Sequence, residues 1–543
     1  MKKIAVTFLG GLMLSVLCVA VLAGCAAPLD IPQHGAPMAA PSESQEYRIS
    51  DDGTYIEGYL LLTGASEDIA RLLDPEDPMR QELVNLELDD SGTPALSLTE
   101  LGIDGDLQIK LIRHGNRSSP QALAAVYDVL TRTLAGELGS PLTAPLFADL
   151  LAVTTPPEVG GSGNSVGAHP FGPATPISAT GIITSQWALS ASGIGLYDAD
   201  GRTVTQTGNG VQIVVFDTSP YTLSGAGPEL QELPSTASPQ GVAKSFHVYH
   251  PFNVTYTPKP TTTVNMSSHG IFVLGLVHAV APDADLKLVR VLDEDGYGDL
   301  YTMVAAILSE TPRDRTSQTV FNLSLGTRET DLSEDTVNLI RDYCAAVRDS
   351  SSFTGNPATP SDSACSGNHP QFSLETVMKI VDEKQVIVVA AAGNDSADMA
   401  TPMPATNPAD FAARIGHLLG VASSRQDGAR SCFSNQGTIT APGGDATAAT
   451  GACDPVSTLQ TCNGEGPCPY GLISVLYPYS YAYWSGTSFA APLVSGLAAL
   501  ALETWDAPTV TNQILSGGCT PPSNSTDVVD VVHVNAVLGD GCP

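Results

Sequence analysis

Residues 485–496, Ser-Gly-Thr-Ser-Phe-Ala-Ala-Pro-Leu-Val-Ser-Gly, carry one hydroxyl, that of Ser488, from a turn of small residues to the start of a strongly apolar helical run. A nucleophile there meets unpaired backbone N–H groups and the positive end of the helix dipole, which stabilise negative charge developing on a substrate carbonyl. Gly486 and Thr487 are small enough for a substrate backbone to come close. A lone Gly-Thr-Ser is more often a tight turn entering a buried helix, so the assignment needs a base and an oxyanion donor. The apolar run 211–216 ends in Asp217 and reads as a buried parallel strand. Its carboxylate emerges at the strand's C-terminal end, where open α/β sheets build their sites. His269 precedes the apolar stretch 271–280 and is expected to open a helix beside that strand, with a further strand at 286–292. A strand at 386–390 runs into Ala391-Ala392-Gly393-Asn394, and the Asn394 side chain offers N–H donors to an oxyanion. His250 and His278 are rival bases, read here as a loop residue and a packed helix residue. The bland alternatives are a turn or helix cap for Asp217 and tolerance of a left-handed turn for Asn394.

The order Asp217, His269, Asn394, Ser488, each in its own context, resembles the subtilisin-like serine peptidases. The resemblance covers about residues 185–540 and opens with Gln186-Trp187-Ala188-Leu189. It continues through VVFDT around Asp217, SHG around His269, VAPDADL at 280–286 and NLSLG at 322–326. AAAGND at 390–395, MPA at 403–405, CFSNQG at 432–437, APGG at 441–444 and SGTSFAAP at 485–492 complete it. It implies an α/β fold, a mainly parallel sheet flanked by helices with right-handed crossovers. It also implies roles: Asp217 orients the imidazole, His269 is general base and then acid, Ser488 attacks, and Asn394 with the Ser488 backbone N–H forms the oxyanion hole. An unassisted serine hydroxyl is a poor nucleophile at neutral pH, which is why the base is needed. By the same resemblance, Ser324, Leu325 and Gly326 form the edge along which an extended substrate lies. Ala391, Ala392 and Gly393 would border the pocket for the residue before the cleaved bond, and their small side chains favour a large apolar or aromatic residue there.

The chain departs from the family at Thr218-Ser219-Pro220, at Ile271-Phe272, at Phe489 and at Leu493, without losing a catalytic functional group. These departures leave a competing reading, a surface binding protein on a subtilase scaffold that has lost activity. An esterase-type nucleophile elbow, G-x-S-x-G, does not surround Ser488.

The chain's start has two lysines, an apolar stretch from Ile4 to Leu22, and Leu22-Ala23-Gly24-Cys25. This describes an export signal, and its end is similar to the lipobox of bacterial lipoproteins, which implies a lipid anchor to the membrane at Cys25. Cleavage after Ala27 and an uncleaved anchor are the alternatives. The expected organisation is a signal peptide at 1–25, a tether at 26–45 rich in Ala, Pro and Ser, an α+β domain at 46–153, a linker at 154–184 and the peptidase-like domain at 185–543. In the α+β domain, strands are expected at 55–62 and 107–113 and helices at 67–73 and 121–138. Its position is that of a subtilase propeptide, and two outcomes are open: the enzyme is released from its anchor to the extracellular space on maturation, or this unit stays attached as an accessory domain. Insertions are expected at 222–265, 328–372 and 445–480, where long loops often carry recognition.

Apart from Cys18 and Cys25, eight of the ten cysteines remain, an even number that fits disulfides in an oxidising, extracytoplasmic compartment. Cys344 with Cys365 and Cys519 with Cys542 are the expected local pairs, leaving Cys432, Cys453, Cys462 and Cys468. With 24 basic against 57 acidic residues, the net charge of -33 argues against nucleic acid as a partner. Polypeptide substrates and a monomer are expected. Catalysis of this kind requires no cofactor or metal. Calcium often stabilises members of this family, but no EF-hand-like spacing assigns a site.

Overall fold

A computed structural model describes residues 45–98, 106–156, 175–177 and most of the chain from Gln186 onward, with longer gaps at 234–242, 258–265, 447–452, 454–469 and 521–528. The expected signal peptide, Cys25, most of the tether and most of the linker lie outside these residues, as do Cys462 and Cys468.

The N-terminal module is built on β1 (Gln45–Arg48), β2 (Tyr55–Ala65), α1 (Ser66–Leu73), β3 (Leu107–Arg113), α2 (Ser119–Leu134) and β4 (Phe147–Thr155). β2 is central and pairs antiparallel with β3 and β4. Strand alternation gives its sheet two apolar faces. Leu60 and Leu62 face α1 and α2, while Leu61, Ile109 and Leu151 face helices from the C-terminal region. Two ends differ from expectation by three residues or more. β2 continues to Ala65, and α2 stops at Leu134 instead of 138. Gly136, at φ 77°, turns the chain there: its N–H donates to Thr133 O at 3.0 Å and that of Glu137 to Arg132 O at 2.9 Å. This six-to-one, five-to-two pair satisfies the last helical carbonyls.

The C-terminal region begins its sheet with β5 (Gln212–Asp217), β6 (Glu229–Leu233), β7 (Lys244–Tyr249) and, off the sheet, β8 (Val254–Thr257). Then come α3 (His269–Val280), β9 (Asp285–Arg290), β10 (Gly298–Asp299), α4 (Leu300–Glu310), β11 (Thr319–Leu323), β12 (Gly326–Thr327), α5 (Glu334–Asp349) and α6 (Phe372–Glu383). β13 (Ile387–Ala391), β14 (Leu418–Ser424), β15 (Ile439–Pro442), β16 (Leu472–Leu476), β17 (Ser480–Trp484) and α7 (Thr487–Leu502) follow. Eight strands form one sheet in the order β6-β7-β9-β5-β11-β13-β14-β15, parallel except for the antiparallel edge pair β6–β7. This is the expected α/β architecture. Its central strands are buried on both faces, which is why they read as continuous apolar runs.

Every residue of α3 and of α7 is buried, and these two helices share one face of the sheet. α4 and α6 take the other face and are themselves covered by the sheet of the N-terminal module. The disulfides Cys344–Cys365 and Cys519–Cys542 form as expected, and Cys432 pairs with Cys453.

Asp149 of β4 joins the two regions by capping α6. Its carboxylate accepts from the backbone N–H of Phe372 (3.0 Å) and of Ser373 (2.7 Å), and from the Ser373 hydroxyl. Full burial pushes this carboxyl up to about 6, although the Ser373 and Phe372 donors pull the other way. A folded-state value above the ordinary 3.8 means that its contribution to stability is complete below that pH and is lost as pH rises through about 6. We therefore expect Asp149→Asn to gain stability relative to wild type, by on the order of 3 kcal/mol, between pH 4 and 7. Thermal melts of both proteins across that range should diverge; parallel curves would exclude the buried charge.

Candidate active site

β5 ends on Asp217, whose side chain is completely buried, and α3 begins on His269, at 2% exposure. The two meet because Gly270 lies against the turn after β5. A Cβ there would come within 2.2 Å of Thr218 O and 2.9 Å of Asp217 Cβ. Thr218 ties the junction by donating its hydroxyl to Met266 O (2.7 Å) and accepting from the Gly270 N–H (3.1 Å). His269 Nδ1 lies 2.8 Å from Asp217 Oδ1 and 2.9 Å from Oδ2, and Thr218 N–H donates to the same Oδ1 at 2.6 Å. A carboxylate at Nδ1 fixes the tautomer in which Nε2 accepts a proton.

Ser488 stands in the first turn of α7 at 2% exposure. Its hydroxyl donates to Ser324 O at 3.3 Å rather than to the His269 ring. Its carbonyl is accounted for by sequence: Pro492, four residues on, has no N–H to offer it. The Ser324 hydroxyl fills that place, donating to Ser488 O at 2.7 Å while accepting from Asn322 Nδ2 at 2.9 Å. Ser324 and Ser488 are thus bonded twice, side chain to backbone in each direction.

Asn394 follows β13 and is fully buried. Its Oδ1 accepts from both the N–H and the hydroxyl of Thr487, each at 3.0 Å, which anchors the carbonyl end of the amide beside Ser488. Ala391 closes β13, Ala392 donates its N–H to Val421 O, and Gly393 donates to the Thr487 hydroxyl. Asp217, His269, Asn394 and Ser488 therefore lie at the C-terminal ends of β5 and β13 and the N-terminal ends of α3 and α7. Neither rival is hydrogen-bonded to Asp217. His250 contacts the Ser219 hydroxyl at 2.9 Å, and burial, reinforced by Arg290, lowers its pKa to about 4. His278, near the end of α3, is likewise lowered to about 4 by burial.

Two features had no counterpart in the sequence reading. Trp484 and Phe489 wall the His269 ring, with centroids at 5.3 and 5.2 Å, and Phe272 packs against both. In the sequence Phe489 stands out only as a departure from the family pattern; an aromatic cluster next to a motif residue is the available signal. The second concerns the edge at Ser324, Leu325 and Gly326. Gly326 pairs antiparallel with Thr155, and Thr327 with Thr154, while Gly298 and Asp299 pair with Thr154 and Val153 on the other side. The last residues of β4 thus lie extended between two short strands, two residues along from Ser324. Among the described residues no group of three or more His, Cys, Asp or Glu side chains converges to hold a metal ion.

The sequence profile of the subtilase family (Peptidase_S8) matches residues 237–516, a span that holds His269, Asn394 and Ser488 and begins after Asp217. No curated protein sequence matches the chain. Among solved structures it is similar to fervidolysin from Fervidobacterium pennivorans, a keratinolytic enzyme related to subtilisin, at 16% identity and a TM-score of 0.47, covering 94% of this chain and 66% of that one. It therefore spans just under two thirds of fervidolysin's length. It is also similar to a protease from Pseudoalteromonas arctica, at 21% identity and a TM-score of 0.39, covering 67% of this chain and 99% of that one. A cold-adapted subtilisin-like serine proteinase matches at 18% identity and a TM-score of 0.36, covering 64% and 97%.

Because Gly270 has no room for a methyl group, Gly270→Ala must push α3 away from β5. We expect a loss of about 1–3 kcal/mol of stability, read as a lower denaturant midpoint at unchanged m-value. An unchanged midpoint would show that the junction can yield.

Proposed function

Because the chain belongs to the subtilase family, we propose that it is a serine endopeptidase that hydrolyses peptide bonds through Asp217, His269 and Ser488. The observation that carries this reading is the buried Asp217–His269 pair at 2.8 Å, walled by Phe489, the residue that follows Ser488.

In the proposed reaction the Ser488 hydroxyl turns from Ser324 O to His269 Nε2. As its oxygen bonds to the scissile carbonyl carbon, the proton passes to Nε2 and the carbonyl oxygen becomes an oxyanion. Two donors support that charge. One is the Asn394 side-chain N–H₂, at the end of the amide opposite its bonds to Thr487. The other is the Ser488 N–H, which lies in the first helical turn, where no intrahelical acceptor exists. His269 then gives its proton to the departing nitrogen and the C–N bond breaks, leaving an ester on Ser488. Water adds to the ester as His269 takes its proton, and collapse releases the new carboxylate and restores the serine.

A substrate backbone would add as a strand along Ser324–Gly326, an edge whose last residue, Gly326, is already paired with Thr155. This supports a prosegment role for the N-terminal module, whose last strand blocks the cleft until the chain is cut. The small residues Ala391, Ala392 and Gly393 support a roomy pocket for a large apolar or aromatic residue before the cleaved bond. The lipobox-like Leu22-Ala23-Gly24-Cys25 supports an extracytoplasmic protein anchored through Cys25.

Wild-type protein freed of the strand block should react with a fluorophosphonate probe, and Ser488→Ala should not react at all. Asn394→Ala should retain the fold but react on the order of a hundredfold more slowly. A folded, unblocked wild type that stays unlabelled would overturn the peptidase reading. For the anchor, cells fed an alkyne fatty acid should label the wild type and not Cys25→Ser; equal labelling would place the lipid elsewhere.

A further inference from the structure

Two of the segments expected as insertions in the peptidase region, 222–265 and 328–372, are used to hold the N-terminal module. The first supplies β8. β1 pairs with it in parallel, Gln45 with Val254 through Arg48 with Thr257, and the Ile49 N–H continues the ladder to Thr257 O at 2.6 Å. The first strand of the module is therefore part of a ladder made with the peptidase region.

The second supplies α5 and the loop closed by Cys344–Cys365. α5 does not pack on the peptidase sheet. It lies against α2 and inserts Tyr343 into the interior of the N-terminal module. The Tyr343 ring meets Tyr127 and Phe147 edge-on, each at 5.5 Å, and its hydroxyl donates to Leu146 O at 2.7 Å. Phe147 in turn stacks on Phe372 at 4.4 Å. Tyr343, Phe372 and both cysteines of the disulfide are buried in the same apolar cluster as the module's own α1 and α2. Here the sheet face rests on α4 and α6, the helical layer is closed by α5, and the leading strand is paired with β8. Withdrawal would open the module's own core as well as the interface, and buried apolar area is the dominant favourable term in association.

We propose that the N-terminal module is a permanent subunit, clamped by β8 and by α5 with its disulfide, and that it stays bound after the linker is cut. Scission hydrolyses one peptide bond between Pro156 and Trp187, consuming one water and leaving a new carboxylate and a new amine. The end of β4, Val153–Thr155, can then leave Gly298–Asp299 and Gly326–Thr327 while residues 147–151 remain in the module's sheet. If Cys25 carries lipid, the clamp is also what keeps the peptidase at the membrane. Maturation in this form rests on the peptidase reading, but retention itself does not.

The test uses the full chain carrying Ser488→Ala, with a recognition sequence for a site-specific protease inserted among residues 157–174. After external cleavage, verified on a denaturing gel, the sample is diluted to about 10 nM and weighed by mass photometry over hours. Retention predicts one particle with the mass of the uncut protein; separation into two species overturns the proposal. Tyr343→Ala in the same background should speed separation about a hundredfold. Separation as slow as in the parent would remove α5 from the clamp. Should Tyr343→Ala not fold, Tyr343→Phe, which loses only the bond to Leu146 O, should part several-fold faster, and an unchanged rate would count equally against α5. Because the cut is external and Ser488 is absent, either outcome is independent of whether Ser488 is the nucleophile.

Discussion

A proline in a helix is the constraint on which the site's geometry depends. Pro492 has no N–H, so the carbonyl of Ser488 must find another donor in a place that water does not reach. Ser324 supplies it, and its hydroxyl is in turn steadied by Asn322, whose own amide oxygen accepts from Ser495 one turn beyond Pro492. One missing hydrogen bond thereby fastens α7 to the C-terminal end of β11. The residue that opens the helix and the residue that opens the substrate edge are held in one frame, which buried, fully satisfied polar networks do better than apolar packing alone.

The same frame extends through α6. Asp149, from the N-terminal module, closes the N-terminal end of that helix, and the helix leads into β13, Gly393 and Asn394. Thr487 then bridges Asn394 back to α7. The position of the candidate oxyanion donor therefore rests partly on a carboxylate some 240 residues earlier in the chain. That carboxylate is buried at a cost, which raises its pKa and makes its protonation one pH-sensitive point of the scaffold.

How much of this was legible in the sequence follows from the range of the interactions. β5 and β13 could be read because strands buried on both faces leave unbroken apolar runs, and α3 because its apolar stretch is continuous and begins at His269. The disulfides Cys344–Cys365 and Cys519–Cys542 could be guessed because each closes a short loop. The end of α2 was misjudged because Leu134-Ala135-Gly136-Glu137 has good helix formers on both sides of the glycine that turns the chain. The pairing of β1 with β8, the insertion of Tyr343 and the strand at Gly326 were out of reach for another reason. Each joins segments of ordinary local character, and no local pattern names the partner. The walls around His269 were intermediate: Trp484 and Phe489 were visible as residues, but only the fold turns them toward the imidazole.

The insertion of Tyr343 also bears on the order of folding. The N-terminal module is synthesised first, yet its interior lacks two of its aromatic rings, Tyr343 and Phe372, until more than 200 further residues have been made. Until then its helical layer presents an open apolar surface, and its leading strand has no ladder to join before β8, Val254–Thr257, is made. Closing such distant contacts requires a large loss of chain entropy before any packing rewards it, which slows folding and exposes intermediates to aggregation. The part of the chain that is made first is thus among the last to be completed, and the peptidase region and its N-terminal companion must reach the folded state together.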